Sequence, residues 1–497
     1  MTARDPIKVY DARWEIEEFN DDQVRRLFEA TFAYGRLLGV DTVTLTRDAR
    51  LGCARVLELG IETALRMGLR TFVRFEPIST PQGYFTSLWV SQQHPRTMGL
   101  GITASHNPKQ YIGIKFTVPT VHAIGLDCGP LGGLTKVREL YHGAGEFPPT
   151  PGGSLTVLDL TREYIGFSLD AAKVKSGDLS GLTVVLDAFH GSAGPEIYQA
   201  LTRAGVRVLP QRLTPNGEFP TGSPNPTSQG KMRSACALAE QPQAEVVVGV
   251  DGDGDRIVFG DAGGILTAGV AFIPILKACG INPGFPAPVL YDPKVSPLAL
   301  VEWGRLGCQP LLFRNGHSQI KDCMTRVGAL AAAEESGHYY HRLTLGGLTV
   351  AGENSILTIL LFLRALKQQP ELMDQLWNLE RHVFTSGEFN CQFDSDETRD
   401  RALAGLIAHF VQDGASATTA TPEGIDLQGT CLAKGVQVDH GAVTLATQWY
   451  SGYLRIATNE KAVVRSYFSA GDIAFGQQLE ARARRILESD FRGRPID

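Results

Sequence analysis

None of the eight cysteines stands in a C-x-x-C spacing with another: Cys53, Cys128, Cys236, Cys279, Cys308, Cys323, Cys391 and Cys431 are scattered along the chain. Neither a zinc site nor a disulfide framework is indicated, and a reducing compartment fits the pattern. No stretch approaches the roughly 20 consecutive apolar residues of a membrane span. The run "ILTILLFLRALK" (356–367) is too short and predicts a buried helix. The opening "MTARDPIKVYDARWEIEEFND" lacks the apolar core of a secretory leader. No long Lys/Arg run occurs, the formal net charge is −6 and the pI is near 6.0. That balance disfavours nucleic acid as a partner and leaves room for local basic pockets that take small anions. A G-x-S-x-G elbow is missing too. These absences predict a cytoplasmic protein with neither a nucleic-acid nor a membrane partner.

What is present is the composition of a folded protein: 497 residues, 43% hydrophobic and 20% charged. That length exceeds a single core and predicts about three to four domains. In the first part, Val24, Leu27, Phe28, Phe32 and Leu38 recur at near-helical spacing behind the capping candidates Asn20 and Asp21. Strand-like "VDTVTLT" (40–46), helix-like "ARVLELGIETALRMG" (54–68) and strand-like "TFVRFEPI" (71–78) follow. This is a βα alternation. The Pro/Gly-rich "GEFPPTPGG" (145–153) reads as a linker. A second alternation runs from "LTVVLDA" (182–188) to "EVVVGV" (245–250), and a third contains "PVLYD" (288–292) and the helical "ENSILTILLFLRALKQQ" (353–369). Beyond residue 380 the texture changes to short strand-like pieces, "AVTLATQW" (442–449) and "YLRIATN" (453–459), before a C-terminal helix, "AFGQQLEARARRILE" (474–488). The predicted domains are 1–150, 151–260 and 261–380, all α/β, and a smaller α+β domain over 381–497.

The strongest local signal is "DGDGDR", Asp251 to Arg256, directly after an apolar strand. Three carboxylates at alternate positions can converge on one hard cation, and the intervening glycines permit the tight backbone this requires. The competing readings are a solvated acidic turn or a calcium loop, although the distal Glu of an EF-hand is missing. "TASHNP" (103–108) is less decisive. Side chains of adjacent residues such as Ser105 and His106 point apart in most backbones, so no hydrolase pair is expected. Ser105 is either a cap before a turn set by Pro108 or the carrier of a phosphoryl group, whose charge would call for a nearby divalent cation.

"TASHNP" with Lys115 seven residues beyond its proline, then "DGDGDR", then "AEESGH" (333–338), in that order, resembles the α-D-phosphohexomutase superfamily. "RNGHSQIK" (314–321) is similar to its bifunctional phosphomannomutase/phosphoglucomutase branch, and "VYDARWE", "TRDAR", "LDAFHGSAG", "PNGEFPTGSPNP" and "DPKVS" extend the likeness over nearly the whole chain. The resemblance implies three similar α/β domains with mixed sheets plus a smaller C-terminal α+β domain of TATA-binding-protein type, all around a central cleft. It implies that Ser105 is the phosphorylated residue. It also implies that Asp251, Asp253 and Asp255 hold Mg2+ with the phosphoserine, and that Arg13, Lys115, Arg256 and His338 surround the reacting phosphate. Lys115 or His338 would take the hydroxyl proton. Tyr10, His106, Lys294, His317, Glu334 and Ser336 are implied as substrate contacts, and Arg455, Thr458 and Asn459 as phosphate anchors.

The implied activity is interconversion of hexose 1- and 6-phosphates of glucose or mannose. A phosphoserine and a bisphosphorylated sugar are intermediates, and hexose 1,6-bisphosphate is the activator. The implied assembly is a monomer or a homodimer. The likeness weakens in "RIATNEK" (455–461), where the family has R-x-S-N/G-T-x-P: Ala457, Asn459 and Lys461 replace Ser, Thr and Pro. Ala333 and Trp14 replace glycines, so the backbone there has to avoid positive φ. Alternatives are a phosphoglucosamine mutase, a sugar-phosphate-binding paralogue of low turnover, and a phosphate-ester hydrolase using the same acidic loop.

Overall fold

A computed structural model describes residues 5–240, 244–281, 286–439, 441–457 and 460–496. Its strands fall into four sheets, and the chain divides into two compact units. The first unit holds Met1–Ile265, Gly316–Ala331 and Ser336–Gln368; the second holds Leu266–Asn315, Ala332–Glu335 and Gln369–Asp497.

In the first unit the chain opens with strand Ala12–Glu15 and helix Asp21–Leu37. Asn20 caps that helix through the predicted signal, with Gln23 closing a capping box. The first sheet is mixed. Thr42–Arg47 lies parallel to both Arg70–Val73 and Thr97–Ile102, while Tyr111–Val118 returns antiparallel beside Thr97–Ile102 and pairs with Ala12–Glu15 on its other edge. Ser154–Val157 completes the sheet in parallel next to Arg70–Val73. Helix Cys53–Arg66 packs here through Val56, Leu57, Leu59 and Ile61, in the main core with Phe28, Phe32, Leu45 and Phe116. The second sheet runs Gly264–Ile265, Ile257–Asp261, Val246–Val250, Thr183–Asp187, Arg207–Gln211. Val246–Val250 is buried along its whole length, as the continuous apolar run "VVVGV" requires of an interior strand. A hairpin, Tyr339–Leu345 with Leu348–Glu353, leads into helix Ser355–Gln368, the buried helix expected there.

The second unit carries the parallel pair Ala287–Tyr291 and Cys308–Leu312, with helices Ala268–Ala278 and Pro297–Arg305. Its C-terminal part is an antiparallel sheet in the order Ser416–Ala420, Asp426–Asp439, Ala442–Ile456, Val463–Ala470, Phe389–Gln392, Arg494–Ile496. Helices Asp396–Gln412 and Ile473–Arg484 cover it through Leu406, Phe410 and Leu479. The two short strand-like pieces expected at 442–459 are one 15-residue strand. Gly452 lies in mid-strand, where a side chain would run into the Phe468 ring. No helix among the described residues is long and apolar enough to cross a membrane.

Candidate active site

The Ser105 loop leaves strand Thr97–Ile102 and returns through strand Tyr111–Val118, with turns and no helix between them. Ser105 therefore caps nothing. Its backbone is left-handed, with φ 51°, a conformation that residues bearing a side chain adopt rarely and that marks functional positions. Arg50, fully buried, holds this loop by its carbonyls. One Nη donates to the oxygens of Ser105 and Asn107, both at 2.6 Å, and the other donates to Pro108 at 2.8 Å. Asp48 fixes Arg50 at 3.1 Å and accepts from Thr103 at 2.7 Å; the Thr103 hydroxyl in turn accepts the Ser105 N–H at 2.9 Å. The left-handed turn has a consequence that spacing did not predict. Ser105 Oγ comes within 3.2 Å of His106 Nδ1, where divergence was expected.

The acidic loop lies against this serine. Ser105 Oγ donates to Asp251 Oδ2 at 3.0 Å. Asp251, Asp253 and Asp255 are all buried and offer ligand atoms within 4.8 Å of one another. One oxygen of each of the last two is pinned: Lys115 Nζ donates to Asp253 Oδ2 at 2.8 Å and to Asp255 Oδ2, and Thr80 Oγ1 donates to Asp253 Oδ2 at 2.5 Å. Asp253 Oδ1 and Asp255 Oδ1 remain buried with no partner among the described residues. Burial, then Asp253 and Asp255, push the Asp251 carboxyl well up. Burial works against the Lys115 ammonium, but Asp253 and Asp255 outweigh it and hold its pKa well above the ordinary value. Two orphaned carboxylate oxygens beside a third acid and a serine oxygen fit a divalent cation with hard oxygen ligands.

A second cluster, Asp255, His338 and Glu353, also brings its polar atoms within 4.8 Å. It does not fit a cation. Arg256 Nε donates to His338 Nε2 at 3.2 Å, so the neutral ring carries its hydrogen on Nδ1. That hydrogen points toward Asp255 Oδ1 at 3.7 Å and Glu353 Oε1 at 3.9 Å. Burial, Arg256 and Lys115 all hold the His338 pKa well below its ordinary value, and burial with Arg256 and Arg13 does the same for His106. The His338 segment is tied to the acidic loop by a backbone bridge to Arg256 and by the Ile257 N–H bond to Gly337 O at 2.8 Å.

Of the other residues named as contacts in this unit, Arg13 and His106 lie at the serine loop, and Tyr10 and His317 at the start of helix His317–Val327. Arg13 donates to Asn107 Oδ1 at 2.9 Å and to Asp11 at 2.5 Å. Tyr10 stands edge-on to His317, their rings 6.2 Å apart, and its carbonyl accepts from Ser318 at 3.0 Å. Ser336 belongs to this unit as well. In the second unit lie Lys294, buried Glu334 and Arg455. Lys294 and Arg455 share one carboxylate, Glu388, at 3.9 Å and 3.6 Å. Thr458 and Asn459 lie outside the described residues.

Comparison with known proteins decides the family. Models described as phosphoglucomutase/phosphomannomutase alpha/beta/alpha domains I, II and III match residues 5–125, 162–264 and 282–382 in chain order. The chain belongs to the α-D-phosphohexomutase superfamily. A phosphomannomutase of Salmonella typhimurium is 27% identical over 98% of this chain and 99% of its own length. A phosphoglucomutase of Neisseria gonorrhoeae is 24% identical, with 98% of each chain covered. The crystal structure of a phosphoglucomutase/phosphomannomutase family protein from Burkholderia thailandensis superposes with a TM-score of 0.79 at 23% identity, covering 98% of each chain.

As a phosphohexomutase the protein is an enzyme, a mutase, with three α/β domains and a fourth, C-terminal one. Its two departures at glycine positions are absorbed without strain. Trp14 sits in strand Ala12–Glu15 and Ala333 in strand Ala331–Ala333, and neither has positive φ. Sequence reasoning missed Thr80, Arg50, Asn107 and Glu353. "TRDAR" flagged the segment of Arg50 but not its grip on the loop. Thr80, at the start of helix Thr80–Ser91 behind the N-cap Ser79, carries no chemical signal until the fold sets it against Asp253, 173 residues away.

Proposed function

We propose that the protein interconverts the 1- and 6-phosphates of a hexose, glucose or mannose, by way of a phosphoserine at Ser105. The observation that carries this is Ser105 Oγ itself. It is held in a left-handed turn 3.0 Å from Asp251, inside a buried acidic triad with two unpartnered oxygens. Asp251, Asp253, Asp255 and the phosphorylated Ser105 would hold Mg2+, which supplies neutralisation of the phosphoryl oxygens as their charge shifts.

The remaining work belongs to the chain. Arg50 keeps Ser105 pointed at the triad by holding the carbonyls on either side of the turn. Lys115 stays protonated between Asp253 and Asp255 and adds fixed positive charge. The phosphorus–oxygen bond to Ser105 breaks as a bond to the free sugar hydroxyl forms. His338 would take the hydroxyl proton on Nε2, and to do so it has to give up the bond that nitrogen accepts from Arg256 Nε at 3.2 Å. The bisphosphorylated sugar then turns over and returns its other phosphate to Ser105. A hexose 1,6-bisphosphate added from outside primes the cycle by phosphorylating the serine. Arg455 and Lys294 would anchor the phosphate that does not react. All eight cysteines are free, which suits a reducing cytoplasm.

The test is conversion of glucose 1-phosphate to glucose 6-phosphate with Mg2+ and a trace of glucose 1,6-bisphosphate, with mannose and glucosamine 1-phosphates in competition. Intact mass should show one phosphoryl group that Ser105→Ala lacks. Release of inorganic phosphate at the rate of conversion, or no conversion of any hexose phosphate, defeats the reading.

A further inference from the structure

Arg455 and Arg465 stand directly opposite each other on the antiparallel strands Ala442–Ile456 and Val463–Ala470. Like charges in that register repel. Glu388, next to Gly387 with its φ of 66°, meets both. Its Oε1 accepts from Arg465 Nη1 at 2.5 Å, while its Oε2 lies 3.6 Å from Arg455 Nη2 and 3.9 Å from Lys294 Nζ. The hold is uneven. Arg465 is hydrogen-bonded to Glu388 and, at 2.6 Å, to Glu460. Arg455 and Lys294 are only at ion-pair distance, while the Nε of Arg455 and that of Arg465 are both buried with no partner among the described residues. The second carboxylate near Lys294, Asp292, is 4.0 Å from its Nζ. Burial pushes the Glu388 carboxyl up, but Lys294, Arg455 and Arg465 outweigh it and hold the pKa at about 2, so the group is an anion at any working pH.

We propose that Glu388 is the resident counter-anion of the phosphate-binding cations: it retains Arg465 permanently, and it holds Arg455 and Lys294 loosely until the phosphate of the sugar takes them. This rests on the phosphohexomutase reading and adds to it a residue that sets how tightly the non-reacting phosphate is gripped. A phosphate dianion offers more oxygens and more charge than a carboxylate and forms short charge-assisted bonds to the same donors. Glu388 stays in place behind those donors, and its charge then opposes that of the phosphate. The grip is weakened by design, as suits an intermediate that must be released at one end and regrasped at the other.

The test is calorimetric titration of the full chain with inorganic phosphate at fixed ionic strength, for wild type, E388Q, R455A and E388Q/R455A. E388Q removes one negative charge a few ångströms from the bound anion and is expected to tighten phosphate by about tenfold. R455A is expected to abolish that gain, and the KM of E388Q for glucose 1-phosphate should fall with its kcat. Phosphate binding in E388Q that is unchanged or weaker, or a gain that survives in the R455A background, overturns the proposal. If E388Q does not fold, E388D keeps the charge but draws it back from Arg455 and Lys294. It must also tighten phosphate, and unchanged or weaker binding there is equally fatal. Phosphate binding needs no turnover. A chain that behaves as expected here but converts no hexose phosphate refutes the mutase reading alone.

Discussion

Thr80→Val is the sharpest probe of the acidic loop, because it deletes one hydroxyl and almost no volume. Thr80 is buried and makes two bonds to Asp253: its N–H donates to the Asp253 carbonyl at 2.8 Å, and its Oγ1 to the Asp253 carboxylate at 2.5 Å. Valine keeps the first and removes the second. The remaining donor to Asp253 Oδ2 is Lys115, which is shared with Asp255. A hydrogen bond to an ionised partner contributes about 1.5–3 kcal/mol, and loss of a partner that orients a metal ligand costs about 10–100-fold in affinity. The two figures agree, since about 1.4 kcal/mol is tenfold. Mg2+ binding to Thr80→Val, titrated calorimetrically on protein without substrate, should weaken within that range. Thr80→Ser, which keeps the hydroxyl, should stay within about threefold of wild type, well short of the span set by the outer-shell effect. A purely structural Thr80 would give lower thermal stability in the valine variant with unchanged Mg2+ affinity, and that result would refute the reasoning.

Lys115→Met should leave Asp253 and Asp255 buried without their cation and destabilise the metal-free protein by about 3–5 kcal/mol. Saturating Mg2+ should recover much of the loss, as read from urea denaturation with and without the ion. His341, buried and hydrogen-bonded to Thr358 Oγ1 at 2.7 Å, is held by burial at a pKa of about 4, against 6.5 for a free imidazole. Below pH 6.5 the unfolded chain takes up the proton that the folded chain refuses, so this group's contribution is lost as pH falls from there toward 4. At pH 5 the loss is about 2 kcal/mol. His341→Gln should flatten that part of the urea-midpoint profile between pH 7 and 5, and an unchanged slope would contradict the assignment.

The parts of the fold that were legible in the sequence are those governed by local pattern. "EVVVGV" announced an apolar strand, Asn20 announced its helix, and the alternating aspartates of "DGDGDR" announced convergent oxygens because glycines permit the turn. What stayed hidden depends on groups far apart in the chain or on backbone conformation. Ser105 and His106 were expected to diverge, and the left-handed φ of Ser105 brings them together. No spacing rule foretells that Arg50 will spend its donors on carbonyls of the serine loop, or that Arg455 will face Arg465 across a strand pair. Nor does the sequence show that Gly452 lies in mid-strand against the Phe468 ring, where a side chain would clash.

Charge balance ties these pieces together. Around Ser105 the first unit buries Asp251, Asp253, Asp255 and Glu353 against Lys115 and Lys321, with Arg256 half-buried at 4.0 Å from Asp251. Lys321 Nζ is already committed to Glu353 at 3.1 Å, and Lys115 to two aspartates. A phosphoryl group on Ser105 would bring nearly two further negative charges into this cluster. Arg256 is divided between Asp251 and His338, and Arg13 is bonded to Asp11 and Asn107. The phosphoryl group and a divalent cation at the aspartates therefore stabilise one another. The serine turn and the acidic loop are two halves of a single site, each of limited use without the other.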